Sequence, residues 1–244
     1  MVTELRDFVY RSLFRLYKAV NPDDVRVILV EAEPKIVAEL HRSLGAYIMN
    51  QMQRMGIEVR LRSRVTRVRE DHVEINDEDV PASTLIWVAG VIANPRIAEL
   101  DIGNDSVGRV PVNEYLEVSG FPDVYAVGDC ARFEDPLSGK PIPPRAHTAV
   151  RQARIVAHNI LADIRGRDKK PYHYSNTSEV VSLGASKAVF RFRGLRLHGF
   201  PARLIWLAGY SLLITGTYNR VRVIMDWLLS LIFGRDTTLV KLKR

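Results

Sequence analysis

The order of hydrophobic and polar positions predicts a helix, a strand and a second helix at the start of the chain. Residues 4–19 carry apolar side chains at helical spacing, and the run "NPDD" ends that pattern. The stretch 25–34, "VRVILVEAEP", is typical of a buried strand that reaches Glu31. Residues 35–56 predict the second helix, which Gly56 stops in a C-cap position.

Two further patterns follow, one alternating and one continuously apolar. Residues 57–80 alternate apolar and polar side chains, which predicts strands with turns at Glu70-Asp71 and Asn76-Asp77. Residues 82–91, "ASTLIWVAGV", predict a largely apolar strand that ends in glycine. Helices and apolar strands in this order favour an α/β fold whose sheet is parallel in part.

The second half of the chain has a different pattern. Residues from about 93 onward predict a loop-rich segment with short strands around Val110 and Val124. A long helix is predicted from His147 to Ile164, and residues 171–198 predict strands or extended chain. The most apolar part of the chain follows, from Ala202 to Phe233. We therefore expect three regions, with the bounds 1–92, 93–170 and 171–244.

Composition and charge narrow the class of protein. The 244 residues, 47% of them hydrophobic, suffice for one or two globular domains. The one cysteine cannot form an internal disulfide, so nothing indicates an oxidising compartment, and the first twenty residues lack a signal-peptide core. From Lys187 to Arg244 there are eleven Lys or Arg against two Asp, so the net positive charge of this segment exceeds the net charge of the whole chain, which is +7. A basic tail of this kind favours an anionic partner, either nucleic acid or a membrane.

Glu31 is the first candidate for cofactor chemistry. In a βαβ nucleotide fold, an acid at the end of the second strand bonds the ribose hydroxyls of NADH and repels a 2′-phosphate. The alternative is a solvated acid at a strand end. The G-x-G-x-x-G loop that should precede such an acid does not occur in the sequence. Either the chain does not bind a dinucleotide by this route, or it is the remaining part of a longer protein.

Two apolar stretches that end in glycine form the second candidate. "LIWVAGV" and "VYAVGDCA" are about forty residues apart, and an acid, Asp129, follows the second glycine. Gly128 would allow the backbone to approach a flat cofactor closely. Asp129 would accept hydrogen bonds from a polyol such as the ribityl chain of a flavin, each worth roughly 1.5–3 kcal/mol.

These stretches, followed by a helix with "AHTAVRQA", resemble the carboxyl-terminal part of type II NADH dehydrogenases. The resemblance implies a partial, Rossmann-like flavoprotein with two dinucleotide-binding domains and a C-terminal membrane-associating helical region. It assigns 1–92 to the NADH-binding domain, 93–170 to the FAD-binding domain and 171–244 to a membrane-surface region. It also implies the cofactors FAD and NADH, and transfer of electrons to a quinone without proton pumping.

The resemblance also assigns roles to particular residues. Asp129 and Gly128 match the family's flavin-ribityl motif, and Glu31 matches the acid on the NADH ribose. Ala89 and Gly90 match a strand end that passes near the nicotinamide and the flavin. The remaining matches line the flavin and quinone side: Ala146, His147 and Gln152.

His147 and Gln152 are the candidate catalytic residues. His147 stands where the family usually has glutamine, and it could exchange a proton near the quinone because its ordinary pKa is near neutrality. The alternative is a histidine that only caps the helix.

The family's two glycine loops have no counterpart in this sequence. We therefore expect a truncated or separately encoded part of the enzyme, with a homodimer or a partner chain supplying the other half. A second hypothesis is a non-catalytic membrane-surface subunit, and a third is a soluble FAD- and NAD(P)-dependent reductase of the same superfamily.

The tail indicates a membrane surface as a partner. Sixteen uncharged residues between Arg203 and Arg220 are too few for the roughly 20 that span a bilayer. Ile224, Trp227, Leu228 and Leu231 share one helical face, and basic residues flank it. We expect helices that lie in the interface at the cytoplasmic face of the cell membrane, with two helices buried in a core or subunit contact as the alternative. Basic residues interleaved with large aliphatics do not favour nucleic acid.

Cysteine and histidine give no further site. Cys130 has no partner for a redox pair, and we expect it to be small and buried. The histidines show no metal-binding spacing, so we expect no metal.

Overall fold

The helices and strands of the chain follow from a computed structural model that describes residues 1–37, 40, 42–88, 90–175 and 178–233. Its α-helices have the bounds α1 Val2–Phe8, α2 Phe14–Leu16, α3 Arg42–Arg54, α4 Ala146–Ile164, α5 Phe200–Leu213 and α6 Thr217–Phe233. Its strands have the bounds β1 Val27–Glu31, β2 Ile57–Leu61, β3 Val65–Val68, β4 His72–Ile75, β5 Glu78–Pro81, β6 Val110–Pro111, β7 Ala131–Arg132, β8 Ser178–Ser182, β9 Ala188–Phe192 and β10 Leu195–Gly199. The expectation of an α/β fold is confirmed.

The chain divides into two compact units. The first comprises Met1–Leu85 together with Asn176–Arg244, and the second comprises Ile86–Ser175. Most of the first and third regions expected from sequence therefore lies in one unit, while residues 86–92 and 171–175 belong to the other. Their assignment to cofactor and membrane roles stays a prediction.

The first unit is built around a parallel strand pair. β1 and β2 run side by side from Val27↔Ile57 to Glu31↔Leu61, and α3 connects them. Ile48 of α3 is fully buried in the apolar core against the pair. The second predicted helix begins later than expected, at Arg42 and not at residue 35, because Val37 adopts φ +49°, which a helix does not accommodate.

Two antiparallel sheets complete the first unit. β3, β4 and β5 form one, with turns at the two predicted places, and β8, β9 and β10 form the other. Helix α5 packs on the second sheet. Strands were therefore predicted correctly for 57–80 and for 171–198.

The prediction of a strand at 82–91 is wrong. The described residues of this segment form no strand, and Trp87 and Val91 are 62% and 61% exposed. An apolar run remains irregular and exposed when no neighbouring strand satisfies its backbone groups, and none of the described strands pairs with it. The strand expected around Val124 is also wrong, because that segment makes only an isolated bridge between Tyr125 and Glu117.

The second unit packs loops and a short parallel pair against α4. Val110 of β6 pairs with Ala131 of β7. Leu116, Phe133 and Val156 belong to the core beneath α4. The predicted helix from His147 to Ile164 is confirmed to within one residue.

The carboxyl end of α4 is fixed by a group of polar contacts. The Tyr125 hydroxyl donates to Asp163 Oδ2 at 2.5 Å. Lys169 Nζ lies 2.8 Å from Asp163 Oδ1 and also pairs with Glu117. Burial, followed by the hydrogen bond to Asp163, raises the pKa of Tyr125 to about 12.

The C-terminal residues form two helices joined at Ile214–Gly216. Trp206 of α5 and Trp227 of α6 have ring centroids 6.1 Å apart. On the predicted apolar face of α6, Leu228 is exposed and Ile224 and Trp227 are half-buried, while the side chain of Leu231 lies outside the described residues. The exposed apolar residues of α6 follow one another about one helical turn apart along one side of the helix. This set is called the α6 strip: Tyr218, Val221, Met225, Leu228 and Leu229. None of the helices within the described residues has both the length and the apolarity needed to cross a membrane.

Candidate functional site

The glycine of the Gly-Asp motif occupies a position that no other residue would fill without strain. Val127 is extended, and a 3-10 turn, Gly128–Cys130, follows it. Gly128 has φ +66°, and a Cβ placed on it would lie 3.1 Å from Ala149 Cβ in α4. The backbone of the motif therefore approaches the helix closely only because residue 128 lacks a side chain.

Gln152 joins this turn to the helix. Its side-chain Oε1 accepts a hydrogen bond from the Gly128 N–H at 2.7 Å, and the residue is only 1% exposed. The sequence predicted Gln152 as a contact on the quinone side. The structure places its carboxamide inside the unit, where it positions the Gly-Asp turn.

Asp129 lies at the surface of the second unit. Its side chain is exposed, and within the described part of the chain it makes no hydrogen bond or ion pair. Its neighbour Gly128 is held in place by Gln152. The carboxylate is therefore an acceptor on a fixed turn that a ligand can reach from solvent.

The first turn of α4 lies beside this carboxylate in the same unit. Ala146 and His147 are exposed, and the N-cap residue, Arg145, makes no side-chain cap. Surrounding protein atoms, and then the positive charges of Arg145 and Arg151, lower the pKa of His147 below its ordinary value. These effects favour the neutral imidazole of His147 over the charged form.

A small cavity, the α4 cavity, lies between the Gly-Asp turn and the start of the helix. It encloses about 230 Å³, including space open to solvent. Its lining consists of Arg109, Gly128, Ala131, Ile142, Pro143, Pro144, Arg145, Thr148 and Gln152. The sequence prediction missed Arg109 and Thr148 because no local motif marks them, and only the β6–β7 pairing and the helix bring them together.

The other predicted residues lie apart from this group. Glu31 ends β1 in the first unit, is half-buried, and accepts a hydrogen bond from the Glu33 N–H at 3.0 Å. Gly90 is an exposed loop residue of the second unit with φ +91°. Ala89 lies outside the described residues. Cys130, expected to be buried, is half-buried. Among the described residues, no group of three or more His, Cys, Asp or Glu side chains could hold a metal ion.

Comparison with known families gives one family match. The sequence model of the family described as "Pyridine nucleotide-disulphide oxidoreductase" matches residues 12–153, more than half of the chain. The matched region includes β1, the Gly-Asp turn and the start of α4.

Several relatives and solved structures are similar over almost the whole chain. A "Probable NADH dehydrogenase" of Dictyostelium discoideum is 29% identical over 96% of this chain and 52% of its own length. The "Type II NADH:quinone oxidoreductase NdhA" of Mycobacterium tuberculosis is 29% identical over 92% of this chain and 49% of its own length. A structure of NDH2 from Plasmodium falciparum in complex with NADH has a TM-score of 0.83 at 14% identity, over 96% of this chain and 64% of that one. The chain thus spans about half the length of the curated relatives it matches.

Proposed function

Because the chain belongs to the pyridine nucleotide-disulphide oxidoreductase family, we propose that it forms part of an FAD-dependent, non-proton-pumping NADH:quinone oxidoreductase. The names of the relatives from Dictyostelium and Mycobacterium support this activity. The resemblance of "VYAVGDCA" and "AHTAVRQA" to type II NADH dehydrogenases supports it independently.

One observation carries the proposal: an unpartnered carboxylate on a rigid turn. Gly128 is fixed by its positive φ and by the hydrogen bond from its N–H to Gln152. That fixed backbone presents Asp129 to solvent beside the uncapped start of α4. The arrangement fits the hydroxyl groups of a ribityl chain, which donate to a carboxylate.

The chain's residues hold and orient the reactants, while FAD, when bound, supplies the electron acceptor between NADH and quinone. Asp129 binds the ribityl arm of the flavin. Glu31, at the end of a parallel strand, binds the ribose of NADH and disfavours a 2′-phosphate. Gly90 and Ala89 form the chain segment beside the nicotinamide and the flavin.

His147 serves the quinone side by exchanging a proton there. Its lowered pKa favours the neutral imidazole, which takes up a proton from solvent and donates it to the quinone, because a quinone gains two protons when two electrons reduce it to the quinol. Ala146 lies next to it in the first turn of α4, where a small side chain leaves the helix start open to a ligand. Gln152 acts through the backbone of Gly128 and is a positioning residue.

We propose further that α5 and α6 rest on the surface of a membrane, at its cytoplasmic face. The α6 strip exposes five large side chains on one helical face, among them Leu228 at 49% and Val221 at 55%. Arg222 and Asp226 are exposed on the same helix, as expected for a helix that lies in the headgroup region. The excess of basic residues toward the end of the chain favours an anionic leaflet. The glycine loops would come from a partner polypeptide, because a second copy of this sequence would not contain them.

Flavin binding by the full chain tests the catalytic part of the proposal. Added FAD should bind with quenched fluorescence, and Asp129→Asn should weaken binding about tenfold, because a hydrogen bond to a charged acceptor is lost. Asp101→Asn, at another exposed acid of the second unit, is the matched control and should bind like the unchanged chain. Equal affinity for the two variants would contradict the role of Asp129. A chain that binds no flavin yet binds vesicles would favour the non-catalytic subunit.

Co-sedimentation with vesicles tests the membrane part. The full chain should sediment with anionic vesicles, less strongly at high salt, and replacement of Met225 and Leu228 by serine should weaken this. Ile164→Ser removes an apolar side chain that is 76% exposed in the second unit and serves as the control. If the control loses as much binding as the α6 variant, the α6 strip is not the contact. A chain that stays in solution would favour the soluble reductase.

A further inference from the structure

Helix α4 has two contrasting faces, and the more apolar one points away from its unit. The buried face carries three polar residues, Thr148, Gln152 and Asn159, each at most 4% exposed. The opposite face consists of exposed aliphatic residues at helical spacing. This set is called the α4 outer face: Val150, Ala153, Ala157, Ile160, Leu161 and Ile164. A surface helix normally turns its apolar stripe toward the core, so this outer face requires an explanation.

Hydrogen bonds on the inner side fix this orientation of α4. Asn159 Nδ2 donates to the backbone carbonyls of Tyr115 at 3.1 Å and Lys170 at 3.0 Å. Its Oδ1 accepts from the Lys170 N–H at 2.8 Å, and Gln152 Oε1 accepts from the Gly128 N–H at 2.7 Å. A rotated helix would leave these buried groups unpaired, which is costly. The aliphatic side is therefore held outward.

The length and shape of the outer face indicate what can cover it. From Val150 to Ile164 the helix rises roughly 21 Å, at about 1.5 Å per residue. Leu161 and Ile164 are 48% and 76% exposed. Ala153 and Ala157 leave gaps between the larger side chains, into which the side chains of another helix or sheet can pack. An extended apolar surface of this kind is typical of a site that binds another polypeptide.

The composition of α4 favours a protein over a lipid surface. Helices that lie on membranes carry Trp, Phe or Leu on their apolar face. The 19 residues of α4 include no Trp, Tyr or Phe, whereas α6 contains Tyr218 and Trp227. The two alanines of the outer face would also contribute little apolar area to a membrane contact, because burial stabilises in proportion to area.

Charge along one border selects among protein partners. Arg151, Arg154 and His158 are exposed at helical spacing beside the outer face. Asp163, the one acidic residue in the sequence of α4, forms an ion pair with Lys169. A two-fold contact uses the same patch on both copies, so two copies would bring positive borders together. A different polypeptide with acidic residues around an apolar face is complementary to this surface.

We propose that the α4 outer face binds the partner polypeptide that carries the glycine loops, through an apolar face bordered by acidic residues. The identity of the partner rests on the proposed function, since the loops have no counterpart in this sequence. The chain matches only 52% and 49% of the lengths of two relatives, so the other half of each is large enough to cover such a face. α4 lies in the unit that also presents Asp129, so a polypeptide bound there is attached to that unit.

Photo-cross-linking in the cells that produce the chain tests the contact. A photo-reactive benzoylphenylalanine is placed at Leu161 in one variant. In the matched control it is placed at Leu137, a leucine of the same unit that is 95% exposed and lies outside α4. After irradiation, the Leu161 position should link to a polypeptide that contains G-x-G-x-x-G loops, as identified by mass spectrometry. The Leu137 position should not.

Binding of that polypeptide to the purified full chain gives the magnitude. Leu161→Ser combined with Ile164→Ser should weaken the association about tenfold or more, because apolar contacts at the centre of an interface are lost. Arg154→Glu should weaken it about tenfold, because it reverses the charge of the border. Leu137→Ser and Arg167→Glu, at exposed positions outside α4, should bind like the unchanged chain. If the double variant does not fold, Arg154→Glu decides the result.

Several outcomes would overturn the proposal. These are a cross-link from Leu161 to a second copy, to another part of the same chain, to lipid or to a polypeptide without glycine loops. Equal yields from Leu161 and Leu137, or no product at all, also overturn it, as does unchanged affinity in the outer-face variants. The flavin test uses the chain alone and is independent. If Asp129→Asn leaves the affinity for FAD unchanged while the cross-link forms, the role of Asp129 fails and the docking site stands.

Discussion

Replacement of Gly128 by alanine tests whether the Gly-Asp turn is held by its contact with α4. The new Cβ would lie 3.1 Å from Ala149 Cβ, closer than an ordinary van der Waals contact. Residue 128 would also retain φ +66°, a conformation that costs a residue with a Cβ roughly 1–2 kcal/mol. The variant thus adds an unfavourable steric contribution to an unfavourable conformational one, and both lower the free energy of unfolding.

The two contributions can be given separate magnitudes. Overpacking of a close contact costs roughly 1–3 kcal/mol, so the free energy of unfolding of the second unit should fall by roughly 2–5 kcal/mol in total. Gly139 offers a matched control in the same unit, because it has φ +62° and nothing within 4 Å of an added Cβ. Gly139→Ala should show only the conformational part, about 1–2 kcal/mol.

Urea unfolding with hydrogen–deuterium exchange, read on peptides from 86–175, measures this unit separately from the other. Ala149→Gly in the Gly128→Ala background removes the clash, so the double variant should lose roughly 1–3 kcal/mol less than the two single losses together predict. Equal losses for Gly128→Ala and Gly139→Ala would refute the reasoning. So would additivity between positions 128 and 149, because it would show that the turn does not depend on its contact with the helix.

Three other predictions follow from the second unit. Because Tyr125 has a pKa of about 12, above its ordinary value of 10.0, the folded state holds its proton more tightly than the unfolded state. The stabilisation that this provides should be fully present below pH 10 and should be lost as the pH rises to 12. In an ultraviolet titration, the tyrosine that ionises at the highest pH should be missing from Tyr125→Phe. The pKa of His147 lies below 6.5, so the unfolded chain binds this proton at a higher pH than the folded chain does, and the free energy of unfolding should decrease as the pH falls through 6.5. Arg151→Gln should raise the pKa of His147 as measured by NMR. An unchanged pKa would exclude the charge of Arg151 as a cause. Thr148→Val should raise the free energy of unfolding by about 1 kcal/mol in urea, because it removes a buried hydroxyl that has no hydrogen-bond partner among the described residues, and a destabilised variant would show that the hydroxyl has a partner.

Local sequence patterns predicted an element correctly where the backbone hydrogen bonds of that element form within one segment of the chain. α4 was predicted to within one residue, since each interior N–H of a helix bonds within the same segment. The hairpin of β4 and β5 was also predicted, because adjacent strands and a turn with Asn76 at φ +54° form one local unit.

Local patterns failed where an element needs a distant partner. The run 82–91 has the composition of a strand, but strand formation requires a neighbour, and its described residues remain exposed. The shared face of Ile224, Trp227 and Leu228 on α6 follows from helical spacing, but the spacing does not say how far each side chain is exposed. In the structure Leu228 is exposed, and Ile224 and Trp227 are half-buried, with Trp227 near Trp206 of α5.

The sequence by itself determined the family resemblance, the Gly-Asp motif and the long helix that follows it, because these depend on residues that are close together in the chain. Tertiary structure alone decided that Gln152 holds Gly128, that Asp129 is exposed, and that Thr148 lines a small cavity with Arg109. Periodicity predicts which face of an element is buried, but it does not predict which residue of a distant element that face will contact.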